Sequence, residues 1–189
     1  MTLSGNVHGN AAGADANELA GLTATGATVT LANVEVNGTN TAVAIAITGT
    51  TGIDLNGTTY TVFNGSGDDP ITFTGAVTLA NDVIVNGGTV AGDNITFTST
   101  VDGAHSLTLA AGSAAVDMQG NVGGGTALNL FTINGAAQVD LANVIANDIA
   151  VTATNIDLNG TTYTANAGNA TFTGAVDLDL AGGITTVDT

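Results

Sequence analysis

Ile53-Asp54-Leu55-Asn56-Gly57-Thr58-Thr59-Tyr60-Thr61 returns letter for letter as Ile156-Asp157-Leu158-Asn159-Gly160-Thr161-Thr162-Tyr163-Thr164, 103 residues further on. An identity of that length inside one chain marks an internal repeat, and a repeat constrains the fold before any single element does. Phe73-Thr74-Gly75-Ala76-Val77 also returns, 99 residues on, beginning at Phe172. The smaller offset reflects a shorter loop after the second tyrosine. Gly5-Asn6-Val7 matches Gly120-Asn121-Val122, and Leu-Ala-Asn begins at Leu31, Leu79 and Leu141. Residues 1–115 therefore read as one long repeat and 116–189 as most of a second, together forming a single domain, 1–189.

Within the repeats the period is 2. In Ile71-Thr72-Phe73-Thr74-Gly75-Ala76-Val77-Thr78-Leu79 apolar residues or Gly alternate with Thr or Ala, the pattern of a strand buried on one face. Val29 with Leu31, Ile95 with Phe97, and Leu107 with Leu109 repeat it. Asn-Gly pairs at Asn37, Asn56, Asn64, Asn86, Asn134 and Asn159, and Gly92-Asp93, end such stretches, where Asn is favoured for its tolerance of positive φ. Asn-Gly between alternating runs also suits hairpins, so an antiparallel β-sandwich is the rival fold. Equivalent strands such as those at Ile71 and Ile95 begin about 20 to 25 residues apart, which is one turn of a solenoid. Stacked like on like, they would set Phe73 near Phe97 and Asn near Asn. The expectation is an all-β parallel β-helix of about nine rungs, a rod about 45 Å long at about 4.8 Å per rung.

Charge narrows the functions. The 189 residues contain no Lys or Arg against 16 Asp plus Glu, a formal net charge of −16, and only 8% are charged. Binding nucleic acid through phosphate neutralisation has no donor here, and anionic membranes would repel the chain. Chemistry built on a lysine Schiff base, a phosphate-loop lysine or an arginine clamp is excluded. With 44% hydrophobic residues the chain has ample surface to bury, so disorder is not expected. Cysteine is absent, and no run approaches the roughly 18 apolar residues of a membrane span, so no membrane insertion is expected. Met1-Thr2-Leu3-Ser4-Gly5 has neither the basic nor the apolar region of a signal peptide.

The strings Ile95-Thr96-Phe97-Thr98-Ser99-Thr100-Val101-Asp102-Gly103-Ala104-His105-Ser106-Leu107-Thr108-Leu109-Ala110-Ala111-Gly112 and Asn155-Ile156-Asp157-Leu158-Asn159-Gly160 resemble repeat units of giant bacterial surface proteins of the filamentous-haemagglutinin-like type. The resemblance covers nearly the whole chain and implies a right-handed β-helix, exported to the cell surface or beyond, serving as a stalk or adhesive fibre.

Candidate chemistry is sparse. Parallel β-helices include pectin-degrading enzymes, whose hydrolases use a carboxylate cluster and a His-Gly pair. Asp68-Asp69 and His8-Gly9 are the nearest analogues, about three rungs apart and on turns, so no enzyme is expected. Gly65-Ser66-Gly67-Asp68-Asp69-Pro70-Ile71 fits half of a calcium-binding nonapeptide repeat, making Asp68 and Asp69 the candidate Ca²⁺ ligands. Only one copy is present, and diffuse screening of the carboxylates by divalent cations competes with a specific site. Sequons at Asn37, Asn56, Asn64, Asn94, Asn159 and Asn169 could carry glycans, although most are turn asparagines. Thr-Phe-Thr at Thr72, Thr96 and Thr171 recurs too irregularly for an ice-binding array and is explained by core packing with strand propensity. His8, His105, Tyr60 and Tyr163 read as turn or rung-edge residues.

Both ends of the chain stop within the repeat pattern and show no polar cap. If Thr189 abuts Met1 of another copy, the skipped stretch of repeat is residues 91–115, close to one rung, and the alternation continues across the joint. The expectation is an extracellular or cell-surface filament of copies stacked head to tail, a heterologous contact that propagates without closing. The alternatives are a segment of a longer adhesin stalk, or a cation-dependent module binding surface glycans through Asp68 and Asp69. The absence of trypsin sites suits persistent extracellular material.

Overall fold

A computed structural model describes residues 1–8, 19–37, 44–63, 67–178 and 185–189. The described residues form short strands and no helix, and every strand pairing in them is parallel. Parallel neighbours exclude the antiparallel sandwich. The chain is a β-solenoid of triangular section, each turn laying one strand on each of three faces.

Alternation is what makes the strands. Ile45–Leu55 and Val144–Leu158 bury nearly every second residue, and where two consecutive residues point outward the chain turns a corner. On the second face the inward ladder runs Val7, Val34, Tyr60, Val85, Leu109, Ile133, Val151, Phe172. Those seven steps are about seven turns. The coil therefore has fewer turns than the nine rungs expected; only the first face reaches nine levels, from Thr2–Leu3 to Thr186–Asp188, one of them the single bridging residue Val122. On the third face the steps from Ile45 through Ile71, Ile95, Val116 and Val139 to Ile156 are 26, 24, 21, 23 and 17 residues. Strands keep their length while corner loops absorb the difference.

The core is a set of like-on-like ladders. Phe73 stacks on Phe97 with ring centroids 4.7 Å apart and planes inclined by 23°. Asn143 Nδ2 donates to Asn121 Oδ1 at 3.1 Å on the next turn, so the expected asparagine contact is present. All five aromatic rings buried below 2% exposure point inward, Tyr60 and Tyr163 among them.

The long repeat and the coil are out of phase. Ile53 and Leu55 sit on the first face, paired with Val77 and Leu79. Ile156 and Leu158 sit on the third, paired with Val139 and Leu141. Phe73 and Phe172 are displaced in the same way, from the third face to the second. The second copy is therefore moved round the prism by one face, and the repeat offset is not a whole number of turns. The phase match expected from the repeat offset alone therefore does not follow.

Candidate functional site

The corners show what the acidic and amide side chains do. Where the chain turns, the strand-to-strand hydrogen bonds lapse, and side-chain oxygens of an adjacent turn accept the stranded N–H groups. Asn33 Oδ1 accepts from Thr58 N at 2.6 Å and Thr59 N at 3.2 Å. Asn143 Oδ1 takes Thr161 N at 2.7 Å and Thr162 N at 3.0 Å. Asp102 Oδ1 accepts from Gly125 N and Thr126 N, Asp148 Oδ1 from Asn169 N, and Asp82 Oδ1 from Ser106 N. These carboxylates bind neighbouring turns to one another.

Inside the repeated corner, Tyr60 Oη–H donates to the Leu31 carbonyl at 3.0 Å while Gly57 N–H donates to Tyr60 Oη at 3.1 Å. Tyr163 repeats both bonds, to Leu141 O at 2.8 Å and from Gly160 N at 2.8 Å. Desolvation pushes both phenols up to about 12, against a partial downward pull from the glycine N–H. Gly57 and Gly160 are not in the left-handed region. A Cβ on Gly57 would stand 2.5 Å from the Asn33 backbone nitrogen, and one on Gly160 2.6 Å from that of Asn143. At these corners the Asn-Gly pair is required by the close approach of the adjacent turn. Positive φ is the reason at Asn134-Gly135, where Gly135 has φ 76°.

Asp68 and Asp69, the candidate Ca²⁺ ligands, point to different environments. Asp69 is 1% exposed and Asp68 lies on the surface. The Asp69 backbone N–H donates to Asp93 Oδ1 at 2.8 Å, and Val90 N–H donates to Asp93 Oδ2 at 2.8 Å, so the buried Asp93 carboxylate is committed to two backbone donors. Gly65 and Ser66 lie outside the described residues, as does Gly9. Among the described residues no three His, Asp or Glu side chains gather so as to hold a metal ion. His8 Nδ1 lies 2.9 Å from Glu35 Oε2, and His105 Nδ1 lies 3.8 Å from Asp82 Oδ1.

The largest acidic feature is one the sequence reading passed over. Asp117, Asp140, Asp157 and Asp177 are direct register partners on the third face, four carboxylates on successive strands. With no Lys or Arg, side-chain amides take the place of cations. Gln119 Nε2 donates to Asp117 Oδ2 at 2.7 Å and Gln138 Nε2 to Asp157 Oδ2 at 2.8 Å. Asp140 is held above the usual carboxylate range, first by desolvation and then by Asp157, with the Gln138 hydrogen bond opposing. At the C-terminal end of the ladder, Gln138, Asn155, Asp157, Ala175, Val176 and Asp177 line an open groove of about 440 Å³. The signal was present as the triplets Val116-Asp117-Met118, Val139-Asp140-Leu141, Ile156-Asp157-Leu158 and Val176-Asp177-Leu178, each an apolar pair around one Asp.

No family model, no curated protein and no solved structure matches the chain. Function is therefore argued from this chain's own surfaces, of which the ends and the three faces differ most.

Proposed function

We propose that the protein is the structural subunit of an extracellular or cell-surface filament, in which copies stack head to tail along the solenoid axis. The observation that carries this reading is a difference between the two copies of the repeat. Val77 is 1% exposed, yet its equivalent Val176 is 45% exposed; Phe73 is 0% exposed, yet Phe172 is only partly buried. In the first copy a later turn covers these side chains, and at the C-terminal end of the coil nothing described does.

At the opposite end Met1 is 54% exposed and Leu3, Val7 and Leu22 are partly buried. The inward ladders match across a joint: Phe172 and Val7 belong to one ladder, and Val176 and Leu22 to another. A second copy placed above would thus meet apolar with apolar, and main-chain edges with main-chain edges. One adjustment is needed. The first face has one level more than the others, so Thr2–Leu3 of one copy and Thr186–Asp188 of the next compete for a level. The joint forms when one of them yields. The extracellular setting rests on the resemblance to filamentous-haemagglutinin-like repeats.

Negative-stain imaging and light scattering of the purified protein test the proposal, with and without EDTA. Long unbranched rods that dissolve into 18.3 kDa chains on denaturation are expected. Particles that stay monodisperse at every concentration overturn it. A far longer covalent chain in native material replaces it with the stalk reading, and rods that fall apart in EDTA assign the joint to divalent cations.

A further inference from the structure

Charge is distributed unevenly round the prism. The third face bears the ladder Asp117, Asp140, Asp157 and Asp177, and the first bears Asp54, Asp102 and Asp188. The second face is different. From Thr59–Phe63 through Val83–Asn86, Leu107–Ala110, Leu128–Asn134 and the middle of Val144–Leu158 to the start of Ala170–Asp177, six successive second-face strands carry no ionisable side chain pointing outward. Their outward positions hold Thr, Ala, Asn and Ile, in unbroken register, with Phe63 at the end of the first of the six strands. Glu35 with His8 stands below this stretch, and Asp82 and Asp148 stand at its rim.

A second observation falls on the same face. Away from the two ends of the coil, the exposed large apolar side chains among the described residues are Ile84, 42% exposed, and Leu130, 36% exposed. Ile84 lies on the second of the six strands, between Thr59 and Thr108. Leu130 lies at its edge, paired with Asp148. Exposed apolar side chains in an uncharged polar surround, with carboxylates only at the margin, suit a protein contact surface.

We infer that the second face is a lateral contact through which two copies of this chain lie side by side. The occupant is a second copy because this is the longest uncharged stretch of the three faces, whereas the Asp117–Asp177 ladder and the Asp54–Asp102 stretch oppose approach of another acidic chain. A chain with net charge −16 and no cation repels its own kind wherever acidic faces meet, and the second face is the broad surface on which two copies can approach without placing carboxylate on carboxylate. Among the described residues its one outward aromatic ring, on which a sugar would stack, is Phe63 at the N-terminal margin, and its middle strands carry none. Six strands spaced about 4.8 Å apart, with about 13 Å of each facing outward, present about 400 Å² per copy. That is near half of the roughly 800 Å² each partner contributes to a standard interface. A single pair is therefore short-lived, and copies joined in series would hold one another through many such contacts at once. The inference does not require end-to-end joining, which is read separately.

The lack of cysteine makes the test clean. Thr152→Cys places a thiol on the exposed part of the second face, and Thr78→Cys places one on the exposed part of the first. A short bis-maleimide is applied to each at equal concentration, and the dimer yield is divided by the labelling rate with a monofunctional maleimide, which removes the effect of Asp54 and Asp102 on the Thr78→Cys thiol. The ratio is expected to be at least about ten-fold higher for Thr152→Cys. It should rise further between about 0.02 M and about 0.3 M salt as long-range repulsion is screened, and return to the Thr78→Cys value when Thr132→Asp is added. Equal ratios, or a Thr132→Asp variant that still cross-links, overturn the inference. Circular dichroism confirms that Thr132→Asp stays folded, and in micrographs it should reduce the width of assemblies while leaving their length unchanged. Loss of length instead counts against end-to-end stacking and not against the lateral face.

Discussion

The two copies of the nonapeptide differ in almost nothing locally and in almost everything globally. At residues 53–61 it passes from the first face to the second; at residues 156–164 it passes from the third to the first. Nevertheless each sits against an asparagine of a Leu-Ala-Asn-Val stretch on the neighbouring turn, 25 residues back in one case and 18 in the other. Each sets its tyrosine edge-on to the repeat-equivalent phenylalanine, at 6.1 Å and 88° for Tyr60 with Phe73, and 5.8 Å and 89° for Tyr163 with Phe172. The corner is a self-contained unit of two turns, indifferent to which edge of the prism it forms. What separates the copies is their cover, since Phe73 has Phe97 stacked on it and Phe172 lies at the end of the coil.

That comparison breaks most visibly at the glycines. Gly57→Ala and Gly160→Ala drive a methyl into the Asn33 and Asn143 backbones, and each should cost about 3 kcal/mol in denaturant unfolding. A cost confined to one copy would show that the corner is not autonomous. Removing the phenol tests the same unit more gently. Tyr60→Phe removes both bonds to the phenol oxygen, but the Leu31 carbonyl keeps Asn56 N–H and Gly57 N–H keeps the Leu31 carbonyl, so the expected loss is about 1 kcal/mol; Tyr163→Phe, where only the Leu141 carbonyl keeps a second partner in Asn159 N–H, should lose somewhat more.

Alkali probes both tyrosines at once. Their folded pKa lies above the ordinary 10, so the stability they contribute is complete below pH 10 and is lost as pH rises toward about 12. Ultraviolet titration should place both phenols near 12, and the wild-type melting point should fall over that interval more steeply than that of Tyr60→Phe. The smallest effect is on the acidic ladder. Asp140 is also raised, so its contribution is favourable in acid and lost as pH climbs through its folded pKa. Asp140→Asn should stabilise by about 0.5 kcal/mol at neutral pH and low salt, with the gain shrinking in acid or at high salt. Unchanged stability at low salt would mean that Gln138 and solvent already neutralise the ladder.

Much of the architecture was legible in the residues. Alternation such as Ile71-Thr72-Phe73-Thr74 gave strands, and the spacing of Ile71 from Ile95 gave a parallel stack with Phe73 over Phe97, because a single-faced strand can bury itself only against its own kind. The face on which each strand lies was not legible. A local corner peptide says nothing about how many residues precede the next corner, and turns of 17 to 26 residues accumulate into a shift of one face between the repeats. At the candidate site, Asp68 and Asp69 drew notice as adjacent carboxylates, while the stacked Asp117, Asp140, Asp157 and Asp177 escaped it because their neighbourhood exists only once the register is known.

The unequal turns have a mechanical side. Strands lie across the long axis, so a pull along that axis peels one turn from the next, strand by strand, and does not shear a whole sheet at once. Each released turn of 17 to 28 residues would add about 60 to 95 Å of slack at about 3.4 Å per residue. Under tension such a coil would lengthen in graded increments, dissipating a jerk that a rigid strut would transmit whole.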